Sequence, residues 1–182
     1  MAMLPNSKPK LTQADALNLI SKFSLQEYDL KILGVRGYYK TTMGNPIQND
    51  RGIYDDAIFL ISPDHFSSWN SNTDPSVTRP GVAVLKIGGP YLYKIGLHNM
   101  KNPYTALRQY GRVTVIRDGG GEVTDTAAAP FYIDIHKGGY NTTSSLGCQT
   151  IHPSQWEAFL ATVKDQLKRH SQTIVPYVLI EM

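Results

Sequence analysis

The chain contains one cysteine, Cys148, and a histidine, His136, twelve residues before it. A lone cysteine cannot form an intrachain disulfide, and a cysteine with a histidine in reach is a candidate nucleophile. A free thiol has a pKa of about 8.5, so at neutral pH it needs a neighbouring base to take its proton. These two residue types at this spacing therefore indicate nucleophilic catalysis by a cysteine.

The residues around Cys148 favour a catalytic over a purely structural cysteine. Free cysteines are often small buried hydrophobes, but the run Ser144–Thr150 is rich in Ser, Thr and Gly. Gly147 lets the backbone come close to a substrate. Backbone N–H groups in residues 146–148 are candidates for binding a developing oxyanion.

The imidazole of His136 needs a partner that holds its tautomer. We predict a strand over Phe131–His136, in which Ile133 and Ile135 face the core. Asp134 and His136 then face the other way, and the histidine lies at the strand end. The sequence leaves two candidate partners open: the Asp134 carboxylate and a backbone carbonyl in residues 137–139.

Two helices are predicted to flank the strands. Apolar residues at helical spacing predict the first over residues 12–23, with Thr12 and Asp15 as a capping pair. The second is predicted to begin after Pro153, where Ser154 and Glu157 form an S-x-x-E capping box. Its apolar face contains Trp156, Phe159, Leu160, Val163 and Leu167.

The rest of the chain is typical of a mainly β, mostly antiparallel domain. β-Branched and aromatic segments separated by turn residues predict seven strands. These are Leu30–Val35, Ala57–Ile61, Val82–Ile87, Tyr91–Ile95, Arg112–Arg117, Phe131–His136 and Thr173–Ile180. We expect turns at residues 88–90, which would join two strands as a hairpin, and at residues 119–121. Residues 67–80 are predicted to be a surface loop.

Composition sets the domain organisation and the class of partner. At 182 residues we expect a flexible tail over residues 1–10 and a single catalytic domain over residues 11–182. The net charge is only +3, with no basic cluster, so we expect no nucleic-acid partner. No apolar run is long enough to cross a membrane, and the N-terminus lacks a signal-peptide core. We therefore expect synthesis in the cytoplasm and no membrane insertion.

The motifs around the two candidate residues resemble a known enzyme family. The pattern Ile135-His136-x-Gly138 followed by Ser145-x-Gly147-Cys148 is similar to the signature of YkuD-type L,D-transpeptidases, cysteine enzymes that act on bacterial peptidoglycan stem peptides. The resemblance covers residues 131–151. It implies a β-sandwich with a mixed sheet and a flanking helix, and it implies no cofactor.

The resemblance also implies roles for single residues. Cys148 matches the nucleophile and His136 the general base, while Ser145 and Gly147 match the residues before the cysteine. A main-chain carbonyl just after the histidine, from Lys137 or Gly138, would complete a triad. The residues expected to line the substrate site are Leu146, Asp134, His98 and Tyr140.

Two positions depart from the family pattern. Leu146 lies where the family commonly has a second histidine, and Thr150 lies where it often has an arginine. The residue that holds a substrate carboxylate is therefore open. The candidates are Arg36, Arg51, Arg79, Arg108 and Arg112.

The sequence leaves two other functions open. Asp134, His136 and Cys148, with His98 or His152, are alternative zinc ligands of a cell-wall peptidase or amidase, although tight pairs such as H-E-x-x-H are absent. The other alternative is a non-catalytic wall-binding or virion structural protein. Without a signal peptide, a wall enzyme would reach the periplasm or cell wall through phage lysis or injection.

Overall fold

The computed structural model describes all 182 residues, with two helices and eleven strands. In chain order they are α1 Gln13–Ile20, β1 Lys31–Arg36, β2 Asp56–Ser62, β3 His65–Asn72, β4 Ala83–Leu85, β5 Gly88–His98, β6 Tyr104–Gln109, β7 Thr114–Arg117, β8 Glu122–Thr124, β9 Ile135–Lys137, β10 Gln149–Ile151, α2 Pro153–Arg169 and β11 Val175–Glu181. Neither helix is both long and apolar enough to cross a bilayer.

Eight strands form one mixed sheet that closes into a barrel in the order β1-β11-β5-β6-β9-β10-β3-β2. The pairs β1–β11 and β9–β10 are parallel, and the other pairs are antiparallel. Strands β4, β7 and β8 form a small antiparallel sheet. The predicted fold class, mainly β with a mixed sheet and flanking helices, is confirmed. The large sheet closes into a barrel, whereas the family resemblance implies a β-sandwich. Strand composition did not predict the closure of the large sheet, because closure depends on which distant strands meet.

The two helices pack on opposite faces of the large sheet. In β1, Ile32 belongs to the same buried cluster as Trp156 and Phe159 of α2. Its neighbour Leu33 belongs to a second cluster with Ile20 of α1. Because successive strand residues point to opposite faces, α1 and α2 cover different sides of this strand.

The beginning of α2 differs from the predicted capping box. The N-cap is His152, whose side chain accepts a hydrogen bond from the Ser154 N–H, and Pro153 is already helical. Proline suits the first helical position because its fixed φ fits a helix and its missing N–H needs no partner there. The helix therefore begins one residue before Ser154. For α1, the predicted cap is confirmed: the Thr12 side chain accepts from the Asp15 N–H.

Two predicted connections are wrong. The first six residues of the predicted loop over residues 67–80 belong to β3, which pairs with β2 over residues 65–71. The Asn70 side chain there bonds to Gln155 and to the Ser7 carbonyl, so polar residues are accommodated in a buried strand. Residues 88–90 do not form a hairpin, because β4 pairs with β7 whereas β5 pairs with β11 and β6.

The N-terminal residues 1–10 contain no helix or strand but lie against the barrel. The Ser7 carbonyl accepts hydrogen bonds from the Tyr39 hydroxyl and from Asn70. The Lys8 ammonium lies 4.1 Å from the centroid of the Trp69 ring. These contacts tie the segment to β3 and to the turn after β1.

Candidate active site

Strands β9 and β10 bring the candidate base and the candidate nucleophile to one side of the sheet. They are parallel neighbours, with His136 opposite Thr150 and Ile135 opposite Gln149. Residues two apart on a strand share a face, so Cys148, two before Thr150, lies on the side of His136. The strand spacing places the two Cα atoms roughly 8 Å apart. No hydrogen bond joins the two side chains; the thiol contacts backbone groups instead.

The Cys148 thiol donates to the Tyr132 carbonyl at 3.4 Å and accepts the Asp134 N–H, also at 3.4 Å. The residue is partly exposed, but protein atoms surround most of the sulfur. This burial raises the pKa of the Cys148 thiol to about 12, against the opposing effects of the Asp134 N–H and the Arg108 charge. The resting form at neutral pH is therefore the thiol.

His136 is held in the tautomer that a base requires. Its Nδ1 lies 2.8 Å from the Lys137 carbonyl oxygen and 3.2 Å from the Tyr104 hydroxyl. A carbonyl only accepts, so Nδ1 carries the proton and donates it, which leaves the lone pair on Nε2. Burial, and secondly the charge of His98, lowers the pKa of His136 to about 4. The imidazole is therefore neutral over the physiological pH range.

Lys137, and not Gly138, supplies the carbonyl that the imidazole contacts. The Gly138 N–H donates to the Ile151 carbonyl, which extends the β9–β10 pairing by one residue. A Cβ at position 138 would clash with the Tyr54 hydroxyl, which itself donates to the Gly139 carbonyl. Gly138 is thus needed for close packing beside the site.

The predicted extent of this strand, Phe131–His136, is wrong, although Ile133 and Ile135 lie in the core as predicted. The strand begins only at Ile135, and Tyr132 has a left-handed φ of 56°. Asp134 and His136 are 1% and 4% exposed, so they do not face solvent. The antiparallel neighbour β6 covers this region, and its Gln109 N–H donates to Asp134 Oδ1.

Asp134 serves two other side chains rather than His136. Its Oδ2 lies 2.7 Å from His98 Nδ1 and 2.8 Å from Arg108 Nε. The His98 ring stacks on the His136 ring with centroids 4.2 Å apart. The fold therefore places His98 beside His136 and buries Asp134 against His98.

The nucleophile loop, residues 144–148, is held by Ser145. The Ser145 hydroxyl donates to the Cys148 carbonyl at 2.7 Å and accepts the Gly147 N–H at 3.0 Å, while its N–H donates to the Ser76 hydroxyl. Gly147 has a φ of +137°, and a Cβ there would lie 2.8 Å from the Ala83 carbonyl. Both predicted residues thus shape the loop around the sulfur.

Two backbone donors in the nucleophile loop remain free. The N–H groups of Leu146 and Cys148 make no hydrogen bond within the protein. The Gly147 N–H, in contrast, is bound by Ser145. The free pair lies next to the sulfur, where an oxyanion would develop during attack on a carbonyl.

Two of the predicted residues lie apart from this centre. The Tyr140 ring is half exposed and contacts the edge of the His152 ring, with centroids 5.5 Å apart. His152 caps α2.

Tyr104 is a site residue that the sequence did not indicate, because the polar strand β6 was not predicted.

The five candidate arginines separate clearly. Arg108 lies at Asp134, from where its charge acts on the Cys148 thiol, and Arg79 lines a groove beside Leu146. The others are engaged elsewhere: Arg36 with Asp74, Arg51 with Asp118, and Arg112 with the Asp125 carbonyl.

The side chains named as alternative zinc ligands are directed to other partners. No group of three or more His, Cys, Asp or Glu side chains has the geometry to hold a metal ion. Asp134 is directed to His98 and Arg108, and the Nδ1 of His136 to a carbonyl.

Comparisons with known proteins return no relative: no protein-family model, no curated protein and no solved structure matches this chain. Functional inference therefore depends on the residues of the site and on the sequence motif that surrounds them.

Proposed function

We propose that this protein is a cysteine-dependent acyl transferase or peptidase in which Cys148 is the nucleophile and His136 the general base. The observation that carries the proposal is the contact between His136 Nδ1 and the Lys137 carbonyl oxygen, at 2.8 Å. The Nδ1 proton is donated to the Lys137 carbonyl, so Nε2 is an unprotonated base on the same sheet side as Cys148. A nucleophile, a base and a group that orients the base are the three parts that such catalysis requires.

In the first step, the thiol proton passes to His136 Nε2 as Sγ attacks a substrate carbonyl carbon. The neutral resting forms of both groups favour proton transfer during the attack over a preformed thiolate–imidazolium pair. The N–H groups of Leu146 and Cys148 stabilise the tetrahedral oxyanion. Collapse expels the leaving amine, which takes the proton from the imidazolium, and leaves a thioester on Cys148.

In the second step, an amine or a water molecule attacks the thioester carbonyl. His136 takes a proton from this acceptor and returns one to the departing sulfur, which restores the thiol. An amine acceptor gives a new amide bond, so the reaction is a transfer. Water gives a carboxylate, so the reaction is a hydrolysis.

For the substrate, we propose peptidoglycan stem peptides, from which the terminal D-residue is lost. The support is the motif Ile135-His136-x-Gly138 with Ser145-x-Gly147-Cys148, which is similar to that of L,D-transpeptidases. The Lys137 carbonyl on His136 Nδ1 agrees with the main-chain triad that the resemblance implies.

A second candidate is a wall-binding protein without catalysis. It is favoured by the high pKa of the Cys148 thiol and by the lack of a hydrogen bond between this thiol and His136. In that case the fold would bind stem peptides without forming a thioester.

The test is incubation of the protein with purified muropeptides, followed by mass spectrometry of products and protein. We expect loss of a terminal residue, with a cross-linked or shortened product, and an acyl adduct on Cys148. Cys148→Ala should abolish all three, whereas Ser144→Ala, an exposed change in the same loop, should not. Full turnover by Cys148→Ala would overturn the proposal. Binding without any turnover by the wild-type protein would support the second candidate.

A further inference from the structure

A groove of about 470 Å³ adjoins the nucleophile loop. One wall is Leu146, a loop residue that is 59% exposed. Ala83 also lines the groove, and its carbonyl lies against Gly147. The groove is therefore continuous with the loop that carries the nucleophile. Its other lining residues are Arg79, Pro80, Gly81, Val82 and Arg117.

The two arginines of this groove have no carboxylate partner. Arg79 is exposed, and its guanidinium makes no hydrogen bond or ion pair within the protein. Arg117 donates to the Gly81 carbonyl at 3.0 Å and lies 4.6 Å from the centroid of the Phe131 ring. A carbonyl and an aromatic ring orient a guanidinium but do not neutralise its charge.

The acidic side chain that follows Arg117 in the chain, Asp118, is already bound. Arg51 holds both of its oxygens, at 2.5 and 2.8 Å. Arg79 reaches the same carboxylate only through its backbone N–H, at 3.4 Å. Two positive charges thus remain uncompensated at the groove, where a carboxylate would be bound through charge-assisted, bidentate hydrogen bonds.

We propose that Arg79 and Arg117 bind a free carboxylate of the acyl donor in this groove. Leu146 is two residues from Cys148, which limits the separation along the backbone to about 7 Å. The carboxylate would therefore belong to a residue close to the scissile carbonyl. This assignment rests on the proposed function, and it names the substrate feature that the site selects: a carboxylate in preference to the carboxamide.

The test uses two stem peptides that differ only in this group, one with a free carboxylate and one with the carboxamide. We expect the wild-type protein to turn over the free acid with a kcat/KM about 10- to 100-fold higher, the range for hydrogen bonds to a charged group. Arg79→Gln should reduce this ratio severalfold, and the double change with Arg117→Gln should bring it close to one. Arg169→Gln, an exposed arginine on α2, is the matched control and should keep the ratio.

A binding measurement separates this assignment from the proposed function. The Cys148→Ala protein should bind the free acid more tightly than the carboxamide, by calorimetry, and addition of Arg79→Gln should weaken only that preference. Equal binding of both peptides would overturn the groove assignment even if turnover is seen. The expected preference in binding, with no turnover by the wild-type protein, would overturn the catalytic proposal and leave the groove assignment supported. Arg79→Gln changes an exposed side chain without partners, so folding is not in question.

Discussion

The polar cluster around Cys148 and a second polar cluster, near the ends of β1, β2 and β3, differ in the exposure of their residues. The second, called here the carboxylate cluster, consists of Asp55, Asp56, Asp74 and Arg36. Its three carboxyl groups are 0%, 0% and 3% exposed, whereas Cys148 is partly exposed.

Both clusters contain groups with strongly shifted pKa values, but the groups in the two clusters have different roles. Burial raises the pKa of Asp55 to about 7, and burial with the charge of Asp74 raises that of Asp56. Asp56 then accepts backbone N–H groups of Gly37 and Thr73, so it holds loops in place. A shifted pKa is thus common to a structural and a candidate catalytic cluster. The second is distinguished by a loop that borders a groove beside the candidate nucleophile.

The largest expected effect is on turnover. His136→Gln removes the base and should lower kcat/KM for a stem peptide by about 10²- to 10⁴-fold. Asp55→Asn, in the carboxylate cluster, should change it by less than about threefold, since no contact links that cluster to the sulfur. Steady-state kinetics on both variants measures the contrast, and equal losses would remove the distinction between the clusters.

The next effect is on stability. Arg36 is the only cation in the carboxylate cluster, with its Nε 3.2 Å from Asp74. Arg36→Met leaves buried carboxyl groups without a counter-charge and should lower the free energy of unfolding by about 3–5 kcal/mol. Urea denaturation measures this loss of stability, and Arg169→Met, a change at an exposed arginine, is the control. A loss no larger than in the control would show that these carboxyl groups are neutral without Arg36.

The pH dependence of stability gives a third contrast. The pKa of Asp55 is about 7 in the folded protein and about 4 when unfolded, so the folded state binds its proton more tightly. This contribution is complete below pH 4 and is lost as the pH rises through 7. As the pH rises from 5 to 8, the free energy of unfolding of Asp55→Asn should therefore increase by about 1–3 kcal/mol relative to that of the wild type. Denaturation across this range tests it; a gain that grows at low pH would contradict the assignment.

The smallest effect concerns the acid limb of activity. Burial and the charge of His98 hold the pKa of His136 at about 4, so kcat/KM should fall only near pH 4. His98→Gln removes the neighbouring charge while an amide can still reach Asp134. The pKa of His136 should rise, and the limb should move to higher pH by about one unit or less. A limb that stays in place or moves lower would show that His98 does not act on the base.

Elements with strong local patterns were predicted well. The helical spacing of Trp156, Phe159 and Val163 predicts α2, and apolar β-branched runs predict β1, β2 and β11. The strands that were missed, β3, β6, β8 and β10, are short or polar. Their residues form strands because neighbouring strands supply the hydrogen bonds. The hydropathy pattern of a segment does not indicate such bonds.

Sequence alone determined which two residues are the candidate nucleophile and base. One cysteine in a Ser/Gly loop, twelve residues after a histidine, suffices to name Cys148 and His136, because residue type and local context decide which groups can react. It also named Ser145 and Gly147, which hydrogen-bond to each other within the same loop.

Only the tertiary structure decided how that pair is surrounded. It chose the Lys137 carbonyl over Asp134 as the partner of His136, stacked His98 on the imidazole, and placed Arg79 and Arg117 beside the nucleophile loop. The physical reason is separation along the chain: His98 and Arg79 come from distant segments, and their approach depends on sheet closure. Burial is the main cause of the pKa shifts of Cys148 and His136. It is likewise a property of the closed barrel and of no single segment.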